Sequence, residues 1–426
     1  MSKRIVSIVF LVCIYGVCFG TIYNIGYRAC QKFGIVEDTV DARYMVTSSG
    51  DREIGSVNAG EVVESKATKT NNYVNRRIAV INNLFEKVDS TIDDKLAFKY
   101  GFVSIYGLTQ KMINRTFIAD VDPAQSIIKI PEEILYSYNV PSIDDDTIDT
   151  KVNEISAVNN YLHSQGKNYL VVFALSKIER NSTTLPEYAN DYSNENIDKL
   201  LSGVQAAGVD YLDLRECADE DGLYIPGAFF RTDHHWTPET GLWAYTKIAE
   251  YLQSEYGLHI DDRTLDINNY NVEVLNKVWL GSIGRRVGDT YCTPDDFAVI
   301  SPKWDVSLED TLFLNEEIQL KGGWFDTVLD REKYELVKSG KYNKYTTDVY
   351  CIYNYGNYVR NIVINKDSEN LGGIYIGGNS FRQVVAPYFP LSFNKTLIDK
   401  SEYDIDKVKD NIIAEGIDTV VYIVTI

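Results

Sequence analysis

Short apolar segments separated by helical patterns are the feature that most constrains how this chain folds. Strands that read as almost continuous apolar runs are typical of parallel sheets, which are buried on both faces. Largely apolar runs of this kind occupy residues 169–175, 209–214, 371–377 and 419–424. Amphipathic helical patterns lie between them, for example at residues 148–162 and 197–204. This alternation predicts an α/β domain whose parallel sheet lies between layers of helices.

The N-terminal segment is typical of an export signal. Lys3 and Arg4 precede an almost unbroken apolar run over residues 5–19, and weaker apolar character continues to Tyr23. The run is nearly long enough to span a bilayer, so we predict a signal anchor or transmembrane segment over residues 1–23. The two basic residues keep the short N-terminal side in the cytoplasm. The bulk of the chain is then extracytoplasmic at the cell membrane, and the alternative is secretion after the signal is cleaved.

Composition and patterning divide the rest of the chain. Residues 24–97 are rich in polar side chains and predict a stalk or lead-in. The strand and helix alternation over residues 98–260 and 361–426 predicts one α/β domain, and its loss over residues 261–360 predicts an insertion between the two halves. The net charge of −19 over 426 residues would repel phosphate backbones, which argues against nucleic-acid binding.

The chain has four histidines, and two of them, His234 and His235, are adjacent. Asp233 lies two residues before His235, and in an extended loop such residues point to the same side. A carboxylate beside an imidazole fixes the tautomer of the ring and stabilises the imidazolium, as a nucleophilic triad requires. Thr237 and Pro238 predict a helix immediately after this loop. The pair is therefore a candidate general base with its orienting acid.

A candidate nucleophile, Ser380, follows an apolar run near the C-terminus. Gly377, Gly378 and Asn379 directly precede it. Glycines there allow a tight turn that places the serine hydroxyl above the sheet edge and leaves its backbone N–H free as an oxyanion donor. Ser282 is a rival nucleophile with a poorer strand context.

Other interpretations of these residues are open. Asn379, Arg285 and Arg286 are candidate contacts to the substrate or the oxyanion, although a position in a surface loop explains the two arginines almost as well. The Asp-His-His-Trp motif has an alternative, purely structural role, in which it ties a buried loop to the following helix. Zinc binding by the motif is disfavoured, because adjacent ligands are awkward and no further ligand is spaced nearby. We predict no metal ion and no cofactor.

Asp233, His234, His235 and Trp236 resemble the name-giving motif of the DHHW family. That family is similar to the alginate O-acetyltransferase-like branch of SGNH hydrolases. In that branch an Asp-x-His motif precedes the serine-bearing strand, which is the reverse of the usual SGNH order, and this chain has that order. The similarity covers residues 98–426.

This resemblance implies a three-layer α/β/α SGNH-hydrolase-like domain with a circularly permuted motif order and an insertion. Asp233, His235 and Ser380 match the triad positions of the family. The chain departs from the family at Asn379, where the family has an aspartate. Since that aspartate is not the acid of the triad, the departure does not exclude activity.

The function implied is acyl transfer by an extracytoplasmic Ser-His-Asp protein, an O-acetyltransferase or an acetylesterase. Its substrate would be a surface polysaccharide or exopolysaccharide, and an integral membrane protein that passes the acyl group would be its partner. The alternative is a protein of the same fold that binds carbohydrate or assists assembly without catalysis.

Overall fold

The computed structural model describes residues 99–425 except 121, 138, 181, 314–316, 358 and 401–404. The predicted signal anchor (1–23) and lead-in (24–97) lie outside the described residues. In the described part of the chain, no helix is both long enough and apolar enough to cross a membrane. Tyr106–Ile426 forms one compact unit. Met1–Ile105 is a second unit, of which only the start of one helix is described.

The described helices differ widely in length and are joined by several short 3-10 turns. In chain order they are α1 (Lys99–Met112), α2 (Asp145–Ser164), α3 (Ser193–Ala206), α4 (Leu214–Asp221), α5 (Ile225–Ala228), α6 (Pro238–Tyr256), α7 (Gly284–Val287), α8 (Trp324–Thr327), α9 (Arg331–Lys338) and α10 (Ile405–Glu415).

The described strands are mostly short. In chain order they are β1 (Phe117–Ile118), β2 (Ile127–Lys129), β3 (Leu135–Ser137), β4 (Asn139–Val140), β5 (Asn168–Phe173), β6 (Asn190–Asp191), β7 (Tyr211–Asp213), β8 (Tyr270–Trp279), β9 (Asp295–Pro302), β10 (Leu308–Phe313), β11 (Glu317–Gly322), β12 (Arg360–Ile364), β13 (Asn370–Gly378), β14 (Phe393–Ile398) and β15 (Ile417–Val424).

Eight of these strands form one sheet in the order β11-β10-β12-β14-β13-β15-β5-β7. The five from β14 to β7 are parallel. The pairs that join β14 to β12, β12 to β10 and β10 to β11 are antiparallel. Because β15 lies between β5 and β13, the apolar runs at residues 169–175 and 371–377 share one sheet, as the sequence predicts.

The two faces of the sheet bury two separate apolar cores. On β5, Leu170 and Val172 belong to a core that includes helix α6, whereas Val171 and Phe173 belong to a second core with α2, α3 and α10. Side chains alternate between faces along a strand, so both faces need cover. Each fully buried side chain of this kind contributes roughly 1.5–3 kcal/mol relative to exposure. The predicted three-layer α/β/α architecture is confirmed.

Helix α6 begins immediately after the Asp-His-His-Trp motif. Thr237 is its N-cap and accepts the Thr240 N–H at 3.3 Å, and Pro238 is its first residue. Gly257 ends the helix in the left-handed conformation, with φ +64°. These are the predicted start and stop signals, and they fix where the motif loop joins a rigid element.

The segment predicted as an insertion, residues 261–360, divides between two sheets. Strands β8 and β9 form a separate antiparallel pair. Strands β10 and β11 extend the main sheet through β12. An antiparallel hairpin needs only a short turn, so it adds to a sheet edge without a crossover helix. The main sheet therefore continues into this segment, and the boundary at 360 does not separate it from the α/β domain.

Asp310 is a buried carboxyl group on β10, with 1% of its surface exposed. Asn361 Nδ2 donates to one of its oxygens at 3.3 Å, and the other oxygen has no partner among the described residues. Burial raises the pKa of Asp310 to about 7. The folded protein therefore keeps this group protonated well above the pH at which an exposed aspartate ionises.

We expect Asp310→Asn to change how stability depends on pH. Between the ordinary pKa of 3.8 and the folded value of about 7, the folded state binds more protons than the unfolded state. This group therefore makes the free energy of unfolding fall as pH rises, by up to about 1.4 kcal/mol per pH unit, and the neutral amide removes that contribution. Urea unfolding across this range measures it, with Asp305→Asn at an exposed carboxylate as the control. Equal slopes in Asp310→Asn and the natural protein would contradict the account.

Candidate active site

Ser380 lies just beyond the carboxyl end of β13, where a tight turn redirects the chain. Gly378 has φ +126°, and a Cβ atom there would lie 2.2 Å from the Ile423 carbonyl oxygen, so only glycine fits. Asn379 then caps the short helical turn Ser380–Val384, because its side chain accepts a backbone N–H two residues on at 3.2 Å. Ser380 is thus the first residue of this turn, at the sheet edge where sites of α/β proteins form.

Asp233 and His235 lie in a tight bend between α5 and α6. The sequence predicts an extended loop here, and the structure has a bend instead. Asp233 Oδ1 accepts the backbone N–H of His235 at 2.9 Å, which is an Asx-type turn. Phe229 pairs with Trp236 across the base of the bend, and the Phe230 N–H donates to the His235 carbonyl oxygen at 3.1 Å. The spacing of two residues therefore acts through a turn, not through strand alternation.

Three side chains form one hydrogen-bonded chain. His235 Nε2 lies 2.6 Å from Ser380 Oγ, and His235 Nδ1 lies 2.6 Å from Asp233 Oδ1. Ser380 and His235 are 145 residues apart, so the sheet brings them together. At these distances an imidazole can take the proton of a serine hydroxyl while a carboxylate holds its other nitrogen. The arrangement suits a nucleophile, a general base and an orienting acid.

Asp233 is buried, with 2% of its surface exposed, and its side chain is ionised. Burial favours the neutral acid, but the charges of His234 and His235, the ring hydrogen bond and the Ser282 N–H hold the pKa of Asp233 well below its ordinary value. The Ser282 N–H donates to Asp233 Oδ2 at 2.6 Å. An anion in this position stabilises the imidazolium that forms when His235 takes a proton.

Comparison with known proteins agrees with this fold and this motif. Residues 135–275 match the family described as "SGNH hydrolase-like domain, acetyltransferase AlgX". The chain has an SGNH hydrolase-like fold. No curated protein matches the sequence.

Solved structures share the fold of the SGNH-like domain at low sequence identity. PatB1 of Bacillus cereus is 19% identical with a TM-score of 0.57, over 70% of this chain and 94% of PatB1. The structure of PatB1 with a sulfonyl adduct is 18% identical with a TM-score of 0.56, over 70% and 93%. A DHHW family protein from Eubacterium siraeum is 15% identical with a TM-score of 0.51, over 72% and 91%. The resemblance to DHHW and alginate O-acetyltransferase-like proteins is confirmed.

The bend between α5 and α6 that holds Asp233 and His235 is called the motif bend below. Asp295, the first residue of β9, anchors it. Its carboxylate accepts the Thr232 N–H at 2.8 Å, the Thr232 hydroxyl at 2.6 Å and the Arg231 N–H at 3.1 Å. Thr232 Oγ1 also accepts the Gly281 N–H at 2.9 Å. A Cβ atom at Gly281 would lie 2.3 Å from Asp233 Cβ, so a side chain there would displace the triad acid.

Arg285 and Arg286, the candidate substrate or oxyanion contacts, are bound by other protein groups. Arg285 donates to the carbonyl oxygens of Leu280 at 2.7 Å and Thr347 at 2.9 Å. Arg286 donates to the Gln125 carbonyl oxygen at 2.7 Å. Within the described residues neither guanidinium contacts a triad side chain. In the described structure both arginines therefore join neighbouring loops.

Asn379, the third candidate contact to the substrate or the oxyanion, also forms hydrogen bonds within the protein. Its side chain caps the turn that Ser380 begins, and its Nδ2 donates to Thr425 Oγ1. Asparagine and aspartate are about equally good N-caps. Asparagine at this position therefore keeps the capping role that an aspartate would have.

Three residues around the triad have roles that the sequence does not assign. Trp236 is fully buried, and its Nε1–H donates to the Phe381 carbonyl oxygen at 3.0 Å. This hydrogen bond joins the motif bend to the turn that begins at Ser380. The Tyr350 ring stacks on the His235 ring with centroids 4.4 Å apart. Arg382 is fully buried and donates to the Asn379 carbonyl oxygen at 3.0 Å, and burial lowers its pKa to about 10. The position of Trp236 in the motif is a usable signal, whereas nothing in the sequence connects Tyr350 to His235.

His234 and Ser282 form a separate pair beside the triad. Their Nδ1 and Oγ atoms lie 3.2 Å apart, so the rival nucleophile faces the other imidazole. Donor atoms of Asp233, His234 and His235 lie within 4.8 Å of one another, as a metal site would require. Both ring nitrogens of His235 already contact Asp233 and Ser380, however, and a metal ion would have to displace one of these contacts.

Lys177 follows β5 and binds the motif bend from a neighbouring strand. Its ammonium group donates to the carbonyl oxygens of Asp233 at 2.6 Å, Leu135 at 2.8 Å and Arg231 at 3.4 Å. Burial lowers its pKa to about 8, although the charges of Asp233 and Asp295 act in the opposite direction. Lys177 lies four residues beyond the end of β5, and its contacts with distant carbonyl oxygens leave no pattern in the sequence.

We expect Lys177→Met to destabilise the protein and to lower its activity. The change leaves the three carbonyl oxygens without their charged donor, which costs about 2 kcal/mol or more. Urea unfolding near pH 7 measures the loss. Lys303→Met is the matched control, since Lys303 is exposed and donates to a single carbonyl oxygen. A stability of Lys177→Met equal to that of Lys303→Met would show that the bend does not depend on this ammonium group.

Proposed function

We propose that the SGNH-like domain transfers or hydrolyses acyl groups through a covalent Ser380 intermediate, as a polysaccharide O-acetyltransferase or acetylesterase. The observation that carries this proposal is the continuous chain from Ser380 Oγ through the His235 ring to Asp233. Burying the Asp233 carboxylate costs free energy, and only glycine fits at position 378 before the serine. A loop with a purely structural role would need neither feature.

The proposed reaction has two steps. Ser380 Oγ attacks the acyl carbonyl carbon while His235 takes its proton, and the imidazolium then protonates the departing alcohol. In the second step a sugar hydroxyl or water, deprotonated by His235, attacks the acyl carbon, and the imidazolium returns a proton to Ser380 Oγ as the bond between that oxygen and the acyl group breaks. Asp233 stabilises the imidazolium in both steps. The Ser380 N–H begins a helical turn, where N–H groups lack intrahelical partners, and it is therefore a candidate oxyanion donor.

The polysaccharide substrate is supported by the family. The matching family description names an acetyltransferase, and the motif resembles the alginate O-acetyltransferase-like branch. PatB1 of Bacillus cereus, which shares the fold, has been determined with a sulfonyl adduct. Sulfonyl groups are transferred to activated nucleophiles, so sulfonyl fluorides are suitable reagents for this chain.

Loss of turnover in triad variants tests the proposal. We expect Ser380→Ala and His235→Ala each to lower kcat for an aryl acetate by about 10⁴-fold or more, and the double variant to lose little further, because the triad acts as a unit. Asp233→Asn should also be severely impaired, through the wrong tautomer. Ser282→Ala is the matched control, since Asp233 uses only the backbone N–H of Ser282. Turnover by Ser380→Ala equal to that of the control would refute the proposal.

The alternative is a carbohydrate-binding or assembly protein of the same fold that lacks turnover. A sulfonyl fluoride or fluorophosphonate probe separates the two. Modification of Ser380 that disappears in His235→Ala supports catalysis. A protein whose Ser380 stays unmodified while it still binds polysaccharide supports the alternative.

We further propose that the domain works outside the cytoplasm on a membrane anchor, with a membrane protein that passes it the acyl group. The support is the apolar run at residues 5–19 behind Lys3 and Arg4. We expect a reporter fused after Ile426 to be active when it requires export, as alkaline phosphatase does. Activity of a reporter that works only in the cytoplasm would reverse the assignment.

A further inference from the structure

A cavity of about 210 Å³ lies beside the triad, and the mechanism above does not use it. Two of its lining residues, His234 and Phe381, are the chain neighbours of His235 and Ser380. The Phe381 ring centroid lies 5.3 Å from that of His235. A group bound in this cavity therefore contacts the chain neighbours of the two reacting residues.

Part of the cavity lining is a hydrogen-bonded polar cluster. Ser176 Oγ and Ser193 Oγ lie 2.8 Å apart, and Ser193 donates its N–H and its hydroxyl to Asp191 Oδ1. All three residues line the cavity. In the described structure no hydrogen bond reaches Asp191 Oδ2, so this oxygen is available to accept one from a ligand.

Tyr136 is an independent sign that the cavity takes a polar ligand. It lines the cavity, is 4% exposed, and its hydroxyl has no hydrogen-bond partner in the described part of the chain. An unpaired buried hydroxyl costs about 1–3 kcal/mol, so a ligand that pairs it is stabilised. Burial and nearby acidic groups raise the pKa of Tyr136, which keeps the hydroxyl protonated and able to donate.

The rest of the lining is largely apolar. The Phe229 and Phe381 rings lie 6.3 Å apart, and several aliphatic side chains also line the cavity. A pyranose ring presents hydroxyl groups at its rim and C–H groups on its faces, which matches both parts of this lining. An alkyl chain would leave the Tyr136 hydroxyl and Asp191 Oδ2 without partners.

The free hydrogen-bonding groups in the lining favour an uncharged ligand. Asp191 is the only acidic residue among those that line the cavity. The cation there, Lys177, already donates to the carbonyl oxygens of Leu135, Arg231 and Asp233. A sugar carboxylate would therefore be repelled by Asp191 and would find the N–H donors of Lys177 already used, whereas a neutral hydroxyl group can donate to Asp191 Oδ2.

We propose that this cavity is the subsite for the sugar unit that gives or receives the acyl group, and that it takes an uncharged hydroxylated ring in preference to a uronic acid. The inference rests on the proposed acyl transfer at Ser380. In it, Asp191 accepts a ring hydroxyl, Tyr136 donates to the sugar, and Phe381 packs against the ring beside the reacting atoms.

Matched substrates test the subsite in the full protein. The substrates are an aryl acetate, acetylated methyl glucoside and acetylated methyl glucuronide, and the readout is kcat/KM for acetate release. We expect the glucoside ester to be preferred to the glucuronide ester by about tenfold, and Asp191→Asn to reduce that preference severalfold. Tyr136→Phe should lower kcat/KM for the glucoside ester about fivefold more than for the aryl acetate. Tyr188→Phe, at an exposed tyrosine outside the cavity, is the control.

The failure of this inference differs from failure of the proposed function. If the natural protein cleaves the aryl acetate through Ser380 but Asp191→Asn and Tyr136→Phe leave the sugar preference unchanged, the subsite inference is overturned. Selective loss of activity on aryl esters of longer acyl chains in these variants would assign the cavity to the acyl group and would also overturn it. If no ester is cleaved, the proposed function fails. Ligand-observed NMR of methyl glucoside and methyl glucuronide binding, with and without Tyr136→Phe, then decides the subsite by itself.

Discussion

The site depends first on one buried carboxylate. Asp233 accepts hydrogen bonds from the His235 backbone, the His235 ring and the Ser282 N–H. The first of these bonds shapes the bend, the second orients the imidazole, and the third joins the bend to the segment after β8. A buried anion is costly unless it is paired in this way, so the same contacts that make the acid effective also fix the loop. Asp295 accepts the Thr232 N–H, and Lys177 donates to the Asp233 carbonyl oxygen. These two contacts anchor the backbone of the bend.

The order of the strands in the main sheet brings Ser380 to this carboxylate and its histidine. The chain places β15, its last strand, between β5 and β13, and this brings the turn after β13 to the motif bend. Trp236 makes the junction rigid, because its buried indole donates to the residue after Ser380. Ser380 follows the carboxyl end of a parallel strand, whereas Asp233 and His235 lie between two helices, so contacts such as this one hold the two segments together.

Much of this was predictable from local signals. The two-residue spacing of Asp233 and His235, the Thr237 cap and the glycines before Ser380 are short-range features, and each corresponds to a defined element. The addition of β10 and β11 to the main sheet was not predictable, because an edge hairpin is set by pairing with β12, which lies about 50 residues farther along the chain. Tyr350 against His235 and Asp295 beneath Thr232 are likewise long-range contacts without a sequence pattern. The sequence predicts Asn379 as a contact to the substrate or the oxyanion, whereas its capping role follows from the backbone conformation of the turn.

The central claim is that Ser380 carries the acyl group during the reaction. The direct measurement is mass spectrometry of peptides from the protein after brief incubation with an aryl acetate and an acid quench. The account predicts one acetyl group on the peptide that contains Ser380, absent from His235→Ala under the same conditions. Turnover of the ester with an unmodified Ser380 peptide, or acetylation of that peptide to the same extent without His235, would contradict it.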